Sequence, residues 1–295
     1  LLSILSEVAA ASLLLWVCQS VGWTWTATAA AGWESRPRSA AWVRLLSSFG
    51  VGLWIVSVAV MLWGMAIGLG FEKIVILWFA LIAGGVRSAG PLLGCYRSAL
   101  GGRRRGGLEN AGLFMLVMLV CAGLVFALVP PLFTDTVRYH LGVPNAWWRD
   151  GAIHKLPQFS EQHLVMMWQH ASLLLLGIGQ PSGAKVFCFL AFPSTLAALG
   201  ILVNARCGRA AAWFSIFMLG ATPTFFGNSV LGGVDAGLAF FSAMALLFFF
   251  SPATTYDLRP TTYAWIGVMA GLAFCTKWQG LALLPGLAAA GLLGR

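Results

Sequence analysis

The sequence predicts an all-α fold, a polytopic transmembrane helix bundle of about eight or nine spans with a helical external loop at about 131–183. Three observations predict it. Of 295 residues, 59% are hydrophobic and only 9% are charged, where an ordinary soluble domain carries about 25% charged residues. Mean hydropathy is +0.85. Apolar runs long enough to cross a bilayer recur along the chain. A soluble fold of this size cannot hide so much apolar surface. A cytosolic enzyme, a secreted disulfide scaffold and a disordered tail are thereby excluded.

A helix crossing about 30 Å of hydrocarbon needs about 20 apolar residues. In order, that rule picks out residues 1–22, 45–70, 74–94, 112–130, 184–204, 210–227, 234–250, 262–276 and 278–294. The third is interrupted by Arg87 and Pro91. In the second, Gly64 and Gly68 form a GxxxG spacing, a candidate helix contact. Residues 164–179 are too short and too polar to span, and read as an amphipathic or partly embedded helix. The six cysteines are scattered without CxxC spacing and read as small buried residues rather than a disulfide or metal framework. The sequence starts at Leu1 rather than Met and reads as part of a longer protein.

The formal charge is +9, from 18 Lys+Arg against 9 Asp+Glu. Basic residues mark cytoplasmic loops, so the cluster of Arg97, Arg103, Arg104 and Arg105 is expected inside. Alternating the spans from there puts Arg36, Arg38, Arg44, Arg206, Arg209, Arg259 and Arg295 inside as well. That side holds twelve basic and three acidic residues, and the other side six of each. The whole excess is therefore positive-inside bias, and no nucleic-acid partner is expected.

This topology leaves one long external loop, 131–183, which holds all four histidines: His140, His154, His163 and His170. Long loops are uncommon unless functional. Short helices are expected there, lying on the outer membrane surface. Pro144 can begin one of them, and Trp147 and Trp148 suit a headgroup-level belt. Asp135 falls at the outer end of the 112–130 span. Asp235 opens the run LAFFSAMALLFFF, and Lys277 sits between two apolar segments in FCTKWQGLALLP. Ionisable residues at membrane depth are costly and tend to be functional or paired. Two plainer roles remain open: Asp235 also suits a helix N-terminus, and Lys277 can snorkel.

Residues from about 112 to 295 resemble the amino-terminal half of a GT-C superfamily glycosyltransferase. The nearest branch is the polyprenyl-phosphate-dependent protein mannosyltransferase and aminoarabinose-transferase type. Four stretches carry the resemblance in order: PPLFTDTVRYHLGVPNAWWRDGAI, LPQFSEQHLVMMWQHASLLLLGIG, ATPTFFGNSVLGGVDAGLAFF and GLAFCTKWQGLALLPGL. Residues 1–95 then form an added block of amino-terminal helices, and 96–295 the core. Two positions depart from the pattern. Glu161-Gln162 stands where the aminoarabinose branch has Glu-Lys, and Asp135-Thr136 where the mannosyltransferase branch has an acidic pair.

The resemblance implies a plasma (inner) membrane enzyme with its site facing the exterior. It would move a sugar from a polyprenyl-phosphate donor to a glycan, lipid or protein acceptor. Asp135 has the chemistry of the general base. Lys277 and Arg138 suit the leaving phosphate. Tyr139, His140, Glu161 and Asp235 are expected to bind substrate, and Asp135 and Asp235 can hold a divalent cation. The apolar spans supply a groove for the lipid. Two other classes compete: a transporter or lipid flippase using the same charges as a path, and a non-catalytic subunit whose charges merely pair.

Overall fold

The computed structural model describes residues 2–30, 33, 35–101, 106–130, 133–159, 166–250 and 260–293. Among them all regular structure is helical. The order is α1 (Leu2–Trp23), α2 (Pro37–Ala66), α3 (Phe71–Val86), α4 (Ala89–Leu100), α5 (Gly107–Leu128), a π-helical turn (Thr136–His140), α6 (Gly142–Asp150), α7 (Met167–Leu176) and α8 (Pro181–Phe189). There follow α9 (Ala191–Cys207), α10 (Arg209–Gly220), α11 (Pro223–Val230), α12 (Asp235–Phe249), α13 (Pro260–Thr276), a 3-10 turn (Trp278–Ala282) and α14 (Leu283–Leu293).

Four stretches are long and apolar enough to cross a membrane: α1, α2, Glu109–Leu128 of α5, and Pro181–Cys207. Two bent pairs, α3 with α4 at 67° and α10 with α11 at 64°, raise the number to six. That is fewer than the eight or nine expected. The difference lies at the carboxyl end, where α12, α13 and α14 have 15, 17 and 11 residues. At about 1.5 Å per residue none of them reaches 30 Å. The continuous apolar text there hides a break at Lys277. The break between α3 and α4 falls at Arg87, where the sequence placed it.

Side-chain contacts show which helix ends meet. Thr136 Oγ1 donates to Leu231 O at 2.5 Å, and Lys277 Nζ lies 2.6 Å from Asp235 Oδ1. The end of α5, the start of α12 and the end of α13 therefore share one end of the bundle. Arg38 donates to the Gly101 carbonyl, Arg206 to Phe250 O at 2.8 Å, and Arg209 pairs with Glu109 at 2.5 Å. These contacts gather the arginines at the opposite end.

Between the two ends the helices interlock through aromatic rings. Phe49 of α2 lies edge-on to Trp168 of α7 (6.0 Å, 74°) and to Phe187 of α8 (6.1 Å, 86°), and packs on Phe240 of α12 (5.6 Å). In a lipid-solvated chain such close packing holds helices together, since apolar burial alone favours no particular neighbour.

Helices α1 and α2 cross at Gly22 and Gly52. A Cβ on Gly52 would overlap the Cys18 carbonyl, and one on Gly22 the Ser48 carbonyl. The GxxxG of α2 is not a helix contact. Gly68 lies beyond the helix with φ 92°, and Gly64 faces the Ile153 side chain.

Two further expectations are corrected. The helix within 164–179, read as amphipathic or partly embedded, is buried in the bundle on most of its sides. Its described part is α7, whose Met167, Trp168, Gln169 and Leu173 are buried against α2. Trp147 is likewise a core residue, 4% exposed, with its Nε1 donating to His154 O at 2.8 Å. Of the cysteines, Cys18 and Cys188 are buried, Cys95 and Cys275 half-buried, and Cys121 and Cys207 exposed, all with free thiols.

Candidate functional site

Asp135 is half-buried and immediately precedes the π-helical turn. Leu141 N bonds to Thr136 O at 2.8 Å, the wider ring of a π turn, a geometry that recurs at functional sites. Tyr139 OH donates to Asp135 Oδ2 at 3.3 Å, and its ring packs 4.2 Å from that of His140. The Thr136–Leu231 hydrogen bond ties this turn to the Gly232-Gly233 loop that leads into Asp235.

Lys277 lies where α13 ends. Its own backbone is extended, at φ −158° and ψ 139°. Gly280 packs back on Ala273 so closely that a Cβ there would overlap the backbone, and Gly280 N bonds to Lys277 O at 2.8 Å. Irregular backbone amid apolar helices is tolerated where it lines a cavity. Lys277 does so, together with Tyr139, His140, Gln169, Thr276 and Trp278, around about 290 Å³.

His140 stands among the charges. It is 5% exposed, and Gln169 Nε2 lies 2.9 Å from its Nδ1. Burial first of all lowers its pKa to about 4. Asp235 and Asp135 act on it in the opposite sense, and Lys277 in the same sense. Distant stretches thus bring His140, Tyr139 and Lys277 to one cavity, and the imidazole stays neutral at pH 7.

Not every expected residue joins this group. Arg138 is exposed and outside the cavity wall, and Asp135 and Asp235 reach that wall only through their partners Tyr139 and Lys277. Glu161 and His163 lie outside the described residues. His154 pairs with Asp150 at 2.9 Å on the exposed end of α6, and His170 stacks on Trp147 with centroids 5.4 Å apart. The donor set does not favour the divalent cation that the sequence allowed. Asp235 faces Lys277, Asp135 is bonded by Tyr139, and no three His, Cys, Asp or Glu come together among the described residues.

Three further residues pack around the site. Gln169 is buried, and its Oε1 has no partner, so the cavity wall carries an orphaned acceptor. Trp168 lies against Gly237, where a Cβ would meet its indole, and donates to Thr276 Oγ1 at 3.4 Å. Lys185 of α8 is 2% exposed, packs beside Gly232 and Thr136, and donates to Val129 O. Only Lys185 carried a signal, a charge within an apolar run.

Beside the polar cavity an apolar groove of about 670 Å³ runs between α2 and α13. Trp54, Ile55, Trp265, Val268, Leu272 and Cys275 line it. It follows α13 from Thr261 to Cys275, about 21 Å of helix, and ends two residues from Lys277. The chain matches no protein-family model, no curated protein and no solved structure.

Proposed function

We propose that this chain transfers a sugar from a polyprenyl-phosphate donor to a hydroxyl acceptor at the membrane face where Asp135 lies. One arrangement supports the reading: Lys277, paired with Asp235, and Tyr139, bonded to Asp135, line one polar cavity, and an apolar groove ends two residues from Lys277. A lipid-phosphate donor has the matching shape. Its prenyl chain lies in the α2–α13 groove, and its phosphate at the groove's end meets Lys277. The ammonium has three donors, so it can hold Asp235 and a phosphate oxygen together.

The chemistry is a single displacement. Asp135 takes the acceptor hydroxyl's proton as the oxygen bonds to the anomeric carbon. The bond from that carbon to the phosphate oxygen breaks, its electron pair leaves with the phosphate, and Lys277 stabilises the new charge. The Nε2–H of His140 donates to a sugar oxygen, and the orphaned Gln169 Oε1 accepts from a sugar hydroxyl. Positive-inside bias turns the arginine end toward the cytoplasm and this site outward, in the plasma membrane.

Full-length protein in nanodiscs, given a radiolabelled polyprenyl-phosphate sugar and a mixed acceptor pool, should yield labelled product that Asp135→Asn abolishes. Equal product from wild type and Asp135→Asn overturns the assignment. The two bent helix pairs favour a second reading, a transporter, since broken helices are common in that class. Donor or sugar flux into sealed vesicles without any glycosylated product supports that alternative.

A further inference from the structure

The arginine end holds a second cavity, of about 700 Å³, which the transfer chemistry does not use. Arg36, Arg38 and Arg209 line it, and Glu109 is the one acid on its wall among the described residues. Glu109 is already engaged, with Arg209 Nη1 at 2.5 Å and the Gly106 amide at 3.3 Å. Arg209 and Glu109 offset each other, so Arg36 and Arg38 are the excess positive charge, Arg38 with one donor on the Gly101 carbonyl. Helices α2, α5 and α10 begin here while α4 and α9 end here, so the helix ends add a small net positive field.

The cavity is layered along the helix axes. Leu113 lies one turn beyond Glu109, and Trp213 one turn beyond Arg209, on the same helix faces and about 6 Å deeper. Trp213 packs over Gly112, which closes α5 on α10 below the arginines. Past this level α5 and α10 expose Met115, Phe114, Phe214 and Met218 outward. A cationic layer above an apolar layer, continued by exposed apolar helix, complements an anionic phospholipid.

We infer that this cavity binds the phosphate-bearing headgroup of an anionic membrane phospholipid, with its acyl chains running down α5 and α10. Arginine forks suit phosphate oxygens. A soluble phosphate would use the same guanidiniums but would leave the Leu113–Trp213 layer without a role. The inference does not depend on the transfer reaction.

Native mass spectrometry of the detergent-purified full chain tests it, with phosphatidylglycerol and phosphatidylcholine as probes. Wild type should retain phosphatidylglycerol about tenfold better, the scale of one charge-assisted contact. Arg36→Gln with Arg38→Gln should bring the two lipids level. Millimolar inorganic phosphate should not displace the lipid. Should the double variant fail to fold, Arg36→Glu at its exposed position gives the same reading. Equal retention of both lipids by wild type, an undiminished preference in the folded variant, or displacement by inorganic phosphate overturns the inference.

Discussion

Lys277 Nζ lies 2.6 Å from Asp235 Oδ1, joining residues 42 apart, one in a helix break and the other at a helix start. The pair is partly exposed, so its direct effect on stability is small, below about 1 kcal/mol. Its effect on activity is larger, because Asp235 aims the ammonium at the cavity. Lys277→Ala should lower the transfer rate by about 10²–10³-fold, as losing one transition-state donor does. Asp235→Asn should lower it less, and the double variant should be no worse than Lys277→Ala. Initial rates with the polyprenyl-phosphate donor measure all three.

Asp135→Asn keeps the shape and removes the base, so kcat should fall about 10²–10⁴-fold with melting temperature unchanged. Tyr139→Phe removes the 3.3 Å hydrogen bond that orients the carboxylate and should cost far less. Equal losses for the two variants place Tyr139 in the reaction rather than beside it.

The neutral state of His140 makes stability depend on pH. Burial holds its pKa at about 4, below the ordinary 6.5. Between those values the unfolded chain binds a proton that the folded chain refuses, so stability falls as the pH drops through this window and is unaffected above it. The linkage is on the order of 3 kcal/mol. His170 is lowered to about 4 by burial as well. His140→Gln, whose amide oxygen can still accept from Gln169, should therefore flatten about half of the melting-temperature decline between pH 6.5 and 4.

Several of these groups were legible in the sequence for one physical reason. A charge within apolar text is costly, so Asp135, Asp235 and Lys277 stood out, as did Arg87 at the α3–α4 break. Neutral polar residues give no such contrast. Gln169 and Trp168 merged into a segment that looked amphipathic, because periodicity does not say whether a helix faces lipid or the bundle. Span lengths failed for a related reason: Lys277 interrupts the backbone but hardly alters hydropathy. The motif spacing of Gly64 and Gly68 marks no helix contact, whereas Gly22 and Gly52 lie in different helices and no spacing within one helix reveals them.

That crossing gives a prediction on stability. Gly52→Ala places a methyl against the Cys18 carbonyl, which is backbone and has no rotamer to yield. Helices α1 and α2 must move apart, at a cost of about 2 kcal/mol or more. A lowered melting temperature in detergent measures it. Gly267→Ala, where a Cβ meets no neighbour within 4 Å, should leave the melting temperature almost unaltered.

The buried Glu7 of α1 accepts a hydrogen bond from the Gly183 amide in the first turn of α8, 176 residues later. During synthesis at about 5–20 residues per second, that carboxylate waits on the order of ten to thirty seconds for its donor. The nascent first helix must meanwhile stay near water or keep a provisional companion. Its final seating is therefore a late event in biogenesis, although α1 leaves the ribosome well before α8.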